Sequence, residues 1–338
     1  MKLTEFDFTL PPTLIATHPL CNRDDSRMLL IPDISDSCFK NFIDLLDAGD
    51  GLVLNNTKVI PSRIYGTSKG KIYEVTLHKE ITPSSWLGFT KGSKKLKIGN
   101  IINFSDMLFG QIKEKTDAGI LIDFQEPRGI IFGNLERIGK MPLPPYMNRQ
   151  EEPQDKTRYQ TVFANHEGSV AAPTASLHFT NEMLKKIKEK GIHIIYVTLH
   201  VGAGTFLPVK EEDVSKHKMH SEYGHISKDS ANLINKIKKS GGKIIAAGTT
   251  ALRVLESAAI EKNTVAPFNK ETDIFILPGY EFKIVDKLLT NFHTPKSTLF
   301  MLVCAFAGIE TMKKAYVHAI KEKYRFYSYG DCCFIKRK

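Results

Sequence analysis

Apolar positions along the chain fall into three textures. Residues 1–62 open with Phe6, Phe8, Leu10 and the Pro11-Pro12 pair, and then give two compact apolar runs, 28–31 and 51–54, of the kind that fills a buried strand. Residues 39–46 between them carry helical spacing. From Arg63 the runs become short and alternating: 71–77, 86–90, 101–104, 109–112 and 119–124, separated by turn residues. Spacing of about 8 to 12 residues between such runs predicts an antiparallel sandwich or small barrel. Beyond the proline-rich joint Met141-Pro142-Leu143-Pro144-Pro145-Tyr146 the period changes again. Helices are predicted over 181–190, 229–239 and after Thr250, alternating with strands over 192–199 and 243–247, and further apolar segments cover 273–277 and 297–307. Strand and helix in alternation predict a mainly parallel sheet. The expected fold is a discontinuous α/β domain, residues 1–62 plus 141–338, carrying an inserted antiparallel β-barrel at 63–140. The charge-rich stretch 149–158 reads as a solvated loop.

Composition agrees with a folded protein and adds one bias. The chain has 338 residues, 42% hydrophobic and 25% charged, and a formal net charge of +10. Clustered cations gain affinity for nucleic acid by releasing condensed counterions, although surplus lysine also decorates ordinary solvated faces. The five cysteines, Cys21, Cys38, Cys304, Cys332 and Cys333, have no zinc spacing and an odd count, which fits a reducing compartment. No run approaches the ~20 apolar residues of a membrane span. A cytoplasmic protein is expected.

Several short patterns carry chemistry. His200-Val201-Gly202-Ala203-Gly204-Thr205-Phe206 is a strand end running into a glycine turn, where open α/β sheets hold ligands. A dinucleotide fingerprint would need a third glycine where Leu207 stands, and Pro208 opposes a helix opening on Gly204, so a nicotinamide dehydrogenase or Rossmann methyltransferase is disfavoured. Gly248-Thr249-Thr250 places hydroxyls at a helix start, with Arg253 and Glu256 further along. Such a start holds anions or is simply capped. His217, His220 and Glu222 match no established metal motif and suit acid–base work better, so no metal is expected. Tyr324-Arg325-Phe326-Tyr327-Ser328-Tyr329-Gly330-Asp331 interleaves rings with charge, as a base-stacking segment or an aromatic closing strand of the core.

Taken together and in order, these segments resemble the S-adenosylmethionine:tRNA ribosyltransferase-isomerases of queuosine biosynthesis over nearly the whole chain. The likeness rests on Asp7-Phe8 with Leu10-Pro11, Leu14-Ile15-Ala16, Arg23-Asp24 with Ser26-Arg27, and the run 54–61, LNNTKVIP. It continues through Pro142 to Tyr146, Arg158 to Val162, Gly168 to Ala175, Leu177 to Thr180, Val197 to Phe206, Gly248-Thr249-Thr250 with Arg253, Leu288 to His293 with Pro295 to Thr298, and Tyr324 to Asp331. Asn56 and Lys58 stand where Asp and Arg are usual, Ser176 replaces a Gly, Leu207 an Arg and Thr294 a Leu. Lys58 keeps its charge and loses the bidentate fork.

The resemblance implies transfer and isomerisation of the ribosyl group of S-adenosylmethionine, as cosubstrate, onto 7-aminomethyl-7-deazaguanine at the wobble position of a tRNA anticodon loop. Epoxyqueuosine-tRNA, adenine and methionine would be the products. A base for the acidic 5′ carbon and an acid for departing adenine are needed. His220 and Glu222 are the candidates, with His178, His200 and His293 as alternatives. Gly202, Gly204, Thr205, Phe206, Thr249, Thr250 and Arg253 are expected to hold the cosubstrate. Arg158, Lys296 and Arg325 are expected on tRNA phosphates and Tyr329 on a base, in a monomer. A tRNA methyltransferase using the same cosubstrate and a non-catalytic RNA-binding protein are the rival readings.

Overall fold

The computed structural model describes residues 1–202, 209 and 211–338. In chain order the first strands are β1 (Arg27–Ile31), β2 (Ser35–Cys38), β3 (Gly51–Asn55) and β4 (Thr57–Val59). Six follow in one block: β5 (Arg63–Ser68), β6 (Lys71–Thr82), β7 (Ser85–Thr90), β8 (Ile101–Ser105), β9 (Leu108–Thr116) and β10 (Gly119–Asp123). Helices α1 (Arg128–Ile138) and α2 (Asp155–Arg158), strand β11 (His166–Ser169), helix α3 (Asn181–Glu189), and strands β12 (His193–Leu199) and β13 (Glu222–Ile226) come next. The remainder is α4 (Lys228–Lys239), β14 (Ile244–Ala247), α5 (Thr249–Ala258), β15 (Ala259–Glu261), β16 (Thr264–Val265), β17 (Phe268–Thr272), β18 (Lys287–Asn291), α6 (Thr298–Ala307), α7 (Ile309–Lys321) and β19 (Cys332–Lys336).

A nine-stranded sheet runs β17-β13-β12-β3-β14-β18-β19-β1-β2, and β5 to β10 close an antiparallel barrel. This is the discontinuous α/β unit with an inserted barrel that the texture change at Arg63 predicts. The sheet is more mixed than expected. Strands β12, β3, β14 and β18 are mutually parallel, but β13, β17, β19 and β2 each join a neighbour antiparallel. One helix between strands returns the chain for a parallel entry. The two helices α6 and α7 after β18 instead leave it at the edge it started from, so β19 must run back. Residues 39–46 form a 3-10 helix, Phe39–Leu45, rather than an α-helix.

Central strand β3 is buried throughout, which is how a strand covered on both faces must read. Val53 faces a core shared with α4, α5, α6 and α7, whereas Leu52 and Leu54 face one shared with Phe39, Phe42 and α3. The barrel has its own core around the fully buried Trp86, and α1 closes it with Ile131, Phe132 and Leu135. Side chains cap the helices as the sequence allows. Thr180 accepts the Met183 N–H, Ser227 that of Ser230 and Ser297 that of Phe300, each at 3.1 Å. Among the described residues no helix is long and apolar enough to cross a membrane.

The barrel is docked rather than tethered. Lys79 reaches Glu271 at 2.7 Å and Ser221 Oγ at 3.1 Å. Arg128 pairs with Glu80 at 3.1 Å and donates to the Glu167 carbonyl at 3.3 Å. The stretch His78 to Glu80 thereby lies against the carboxyl edge of the sheet.

Candidate active site

The four parallel strands end together at Asn55, Leu199, Ala247 and Asn291, and the residues just beyond them make the site. After β14 the chain turns at Gly248, whose φ of +96° a residue with a Cβ rarely adopts, and enters α5. Thr249 and Thr250 follow on the first turn and Arg253 at the start of the second. They line a cavity of about 540 Å³ together with His293, Lys296, Tyr327 and the segment from Ala171 to Ala175.

Arg253 is only 4% exposed, and its Nη1 donates to Glu222 Oε2. Its Nε and Nη2, and Thr250 Oγ1, are buried without a hydrogen-bond partner among the described residues. Three such donors at a helix N-terminus are costly to leave empty and suit a carboxylate or phosphate. His293 shares a hydrogen bond with Thr290 Oγ1 at 2.9 Å, and burial pushes its imidazole down to about 3. It is uncharged at neutral pH.

A second cavity, of about 550 Å³, lies on the barrel side of the same edge. His78, Arg128, Glu167, His200, Gly202, His220, Glu222 and Tyr223 line it. Glu222, 5% exposed, accepts the Gly202 N–H at 2.9 Å and the Arg253 guanidinium. The buried pair Glu222–Arg253 therefore joins the two cavities.

His200 is held on three sides. Its Nδ1 shares a hydrogen bond with Thr57 Oγ1 at 2.8 Å, and its ring stacks on Tyr223. Gly168 presses on the remaining side, where a Cβ would stand 3.0 Å from Nε2. Burial lowers the ring to about 4, with His166 and Arg128 adding positive charge nearby. A neutral imidazole with one nitrogen engaged leaves the other for a proton.

Of the residues the sequence singles out, the structure brings Glu222, His220, His200 and Gly202 to one cavity and Thr249, Thr250, Arg253, His293 and Lys296 to the other. Lys296 also pairs with Asp7 at 2.8 Å. Other candidates stand elsewhere. His178 is a core residue, donating to Asn291 Oδ1 at 2.9 Å with its ring 5.1 Å from Phe39, and burial lowers its basicity. Tyr329 does not present its ring to solvent: it is 5% exposed, packs edge-on against Tyr159 and donates to Asp155 at 2.9 Å. Arg158 donates to the carbonyls of Leu20 and Cys21 at 2.6 and 2.9 Å, and Arg325 to that of His18, so both tie down the N-terminal segment. Gly204, Thr205, Phe206 and Leu207 lie outside the described residues.

The stretch 149–158 is not a solvated loop, because Asp155 is fully buried and bound bidentately by Arg149 at 2.7 and 2.8 Å. The segment Tyr324 to Asp331 is likewise no strand; β19 begins only at Cys332. Asn56, at a position where Asp is usual, accepts from Thr198 Oγ1 at 2.8 Å, and Lys58 pairs with Glu167 at 2.8 Å.

One residue that sequence reasoning missed is His78, on β6. Its Nε2–H donates to the Ala118 carbonyl at 2.8 Å, its ring stacks on Phe89 at 4.2 Å, and burial brings it down to about 4. The ladder shifts register between Leu77 and Lys79, and such an irregularity re-aims a side chain. Among the described residues no group of three or more His, Cys, Asp and Glu is arranged to hold a metal ion.

Comparison with known proteins identifies the family. A family model described as "Queuosine biosynthesis protein" matches residues 3–335. The S-adenosylmethionine:tRNA ribosyltransferase-isomerase of Halothermothrix orenii is 53% identical over 342 residues, covering 99% of this chain and 100% of that protein. A protein of the same name from Beijerinckia indica is 49% identical, covering 100% of this chain and 97% of its own. Among solved structures, the crystal structure of S-adenosylmethionine tRNA ribosyltransferase from Thermotoga maritima superposes with a TM-score of 0.55 at 31% identity, covering 98% of this chain and 99% of that one. With one family matched from end to end and close relatives spanning its length, the chain belongs to the queuosine biosynthesis protein family.

Proposed function

We infer that the chain is an S-adenosylmethionine:tRNA ribosyltransferase-isomerase. In this reading it moves and isomerises the ribosyl group of S-adenosylmethionine onto 7-aminomethyl-7-deazaguanine at the tRNA wobble position. Epoxyqueuosine-tRNA, adenine and methionine are released. The observation that carries the reading is the pair of cavities joined by Glu222–Arg253 at the carboxyl edge of the sheet. A two-substrate transfer needs adjoining places for a small anionic cosubstrate and for a base delivered from a polymer.

The unsatisfied donors of Arg253 and Thr250 support the methionine carboxylate in the α5 cavity. His200 and Glu222 suit the proton transfers. The sulfonium acidifies the adjacent 5′ C–H, and the free nitrogen of a neutral His200 takes that proton. Adenine leaves with a proton returned to it, the aminomethyl nitrogen bonds to the ribosyl carbon and gives up one of its own protons to solvent, and epoxide closure breaks the carbon–sulfur bond to release methionine. His220 is exposed at the rim of the cavity and serves as the alternative proton carrier. The reading also takes residues 63–140 as the barrel domain and the protein as a cytoplasmic monomer that uses no metal.

The test is incubation with tRNA bearing the aminomethyl-deazaguanine and S-adenosylmethionine labelled separately in ribose and methyl, followed by nucleoside mass spectrometry. Ribose label in tRNA with free adenine and methionine is expected. Methyl label would make the chain a methyltransferase, and tight binding without any label would make it an RNA-binding protein.

A further inference from the structure

We propose that the groove between the barrel and the proline joint is where the phosphodiester backbone of the tRNA anticodon stem-loop lies. The proposal rests on tRNA being the substrate. The groove has a volume of about 880 Å³ and is walled by the rigid run Pro142 to Pro145 on one side and by the ends of β7 and β9 on the other. A space of that size holds more than one nucleotide.

Its cations fall into two kinds. Arg63 and Arg149 are fixed by the protein itself: Arg63 donates to the Leu143 carbonyl at 3.0 Å and stands 3.9 Å from Glu74, while Arg149 grips Asp155. Lys91, Lys94 and Lys115 are exposed and have no acidic partner within 4.0 Å among the described residues; Lys115 Nζ reaches only the Ser93 carbonyl, at 2.7 Å. Some lysines elsewhere are neutralised, as in Lys79–Glu271 at 2.7 Å, Lys186–Glu182 at 2.7 Å and Lys238–Asp286 at 2.8 Å. Others, such as Lys188 on α3 and Lys236 and Lys239 on α4, stand unpaired among the described residues on solvated helix faces; Lys91, Lys94 and Lys115 differ in lining one groove. Asp117 and Glu74 are the acids lining the groove, and Glu74 already serves Arg63. Within the groove, among the described residues, three unpaired lysines therefore face one acid, Asp117, that is not already engaged.

Position gives the surplus its meaning. Phe89 lines both this groove and the cavity of Glu222, and Pro145 lines both the groove and the α5 cavity. A strand held at the lysines can thus deliver a splayed base to either cavity without melting a long duplex. Point-charge lysines on flexible stems, with no forked arginine left free, suit a polymer's phosphates better than one small anion in fixed geometry.

The experiment measures binding of the full-length protein to the unmodified anticodon stem-loop at several salt concentrations. It compares wild type, the triple variant Lys91→Glu, Lys94→Glu, Lys115→Glu, and a control with the same charge change on α3 and α4, Lys188→Glu, Lys236→Glu, Lys239→Glu. The groove variant should bind at least about tenfold more weakly, and the slope of log K against log salt should shrink by about 2, as expected for the loss of three contacts to a single strand. The control should stay within about threefold, and calorimetric S-adenosylmethionine binding by all three proteins should be equal. A groove variant that binds RNA like wild type, or a control that loses as much, overturns the proposal. Wild type that binds no RNA at all overturns the functional reading, and the groove with it.

Discussion

The two cavities that meet at Glu222–Arg253 are nearly equal in size, about 540 and 550 Å³, yet they are made differently. The α5 cavity is built from the α/β unit alone and ends at the start of α5, where the side-chain donors of Thr250 and Arg253 are buried. The second exists only because the barrel presses His78, Lys79 and Glu80 onto the sheet edge. A small cosubstrate suits the first kind of place, whose walls need not move. The second, divided between two units, can admit part of a macromolecule.

Breaking the shared wall should have the largest effect. Arg253→Met leaves a 5%-exposed carboxylate without its guanidinium, and loss of one partner from a buried pair costs about 3 to 5 kcal/mol. Urea unfolding should show that loss, and turnover should vanish with it; a variant as stable as wild type would mean the pair is not the wall described.

Next comes His200→Gln, which keeps a polar side chain and removes the proposed proton carrier. Its kcat should fall by about 100-fold or more while the cosubstrate Kd changes little, because the loss confines itself to the barrel-side cavity. An equal rise in Kd would merge the two cavities into one.

Acid should act on both. His78 and His200 are lowered to about 4 and His293 to about 3, against roughly 6.5 in an unfolded chain. Between these values the unfolded state binds more protons than the folded one, so stability is full above pH ~6.5 and falls as the pH drops toward 4. Each histidine removes at most about 1.4 kcal/mol per pH unit. His293→Gln should flatten part of the acid limb in melting experiments, and an unchanged limb would assign it to the barrel side.

The smallest effect belongs to the docking contact. A double-mutant cycle on Lys79 and Glu271, whose side chains are 32% and 50% exposed, should give a coupling of about 0.5 kcal/mol that disappears in high salt. A coupling several times larger would mean the barrel is held as rigidly as the sheet.

The same division governs what the sequence discloses. Gly248-Thr249-Thr250 with Arg253 is legible because strand, turn and helix are consecutive, so local rules place all the groups. Glu222 and His200 are legible as chemistry, and their meeting is not, since it depends on β12 and β13 pairing antiparallel. His78 escapes altogether. Alternation marks a strand over 71–77, whereas β6 continues to Thr82 through the register shift that sets His78 apart from its neighbours. Arg158, Arg325 and Tyr329 are illegible for the opposite reason: rings and cations are enriched in RNA-binding surfaces, but these also join segments distant in sequence, and only tertiary packing shows that.

Strand β19 has a consequence for how the protein is made. It fills the gap between β18 and β1, with Met28 opposite Cys332 and Asn291 also opposite Cys332. During translation β1 therefore waits for a partner that emerges about 300 residues later, which is some 15 to 60 s at ordinary elongation rates. All six barrel strands have emerged by Asp123, but the sheet whose edge carries both cavities is completed last. A ribosome stalled late in the message would release a chain with a finished barrel and an open, sticky sheet edge.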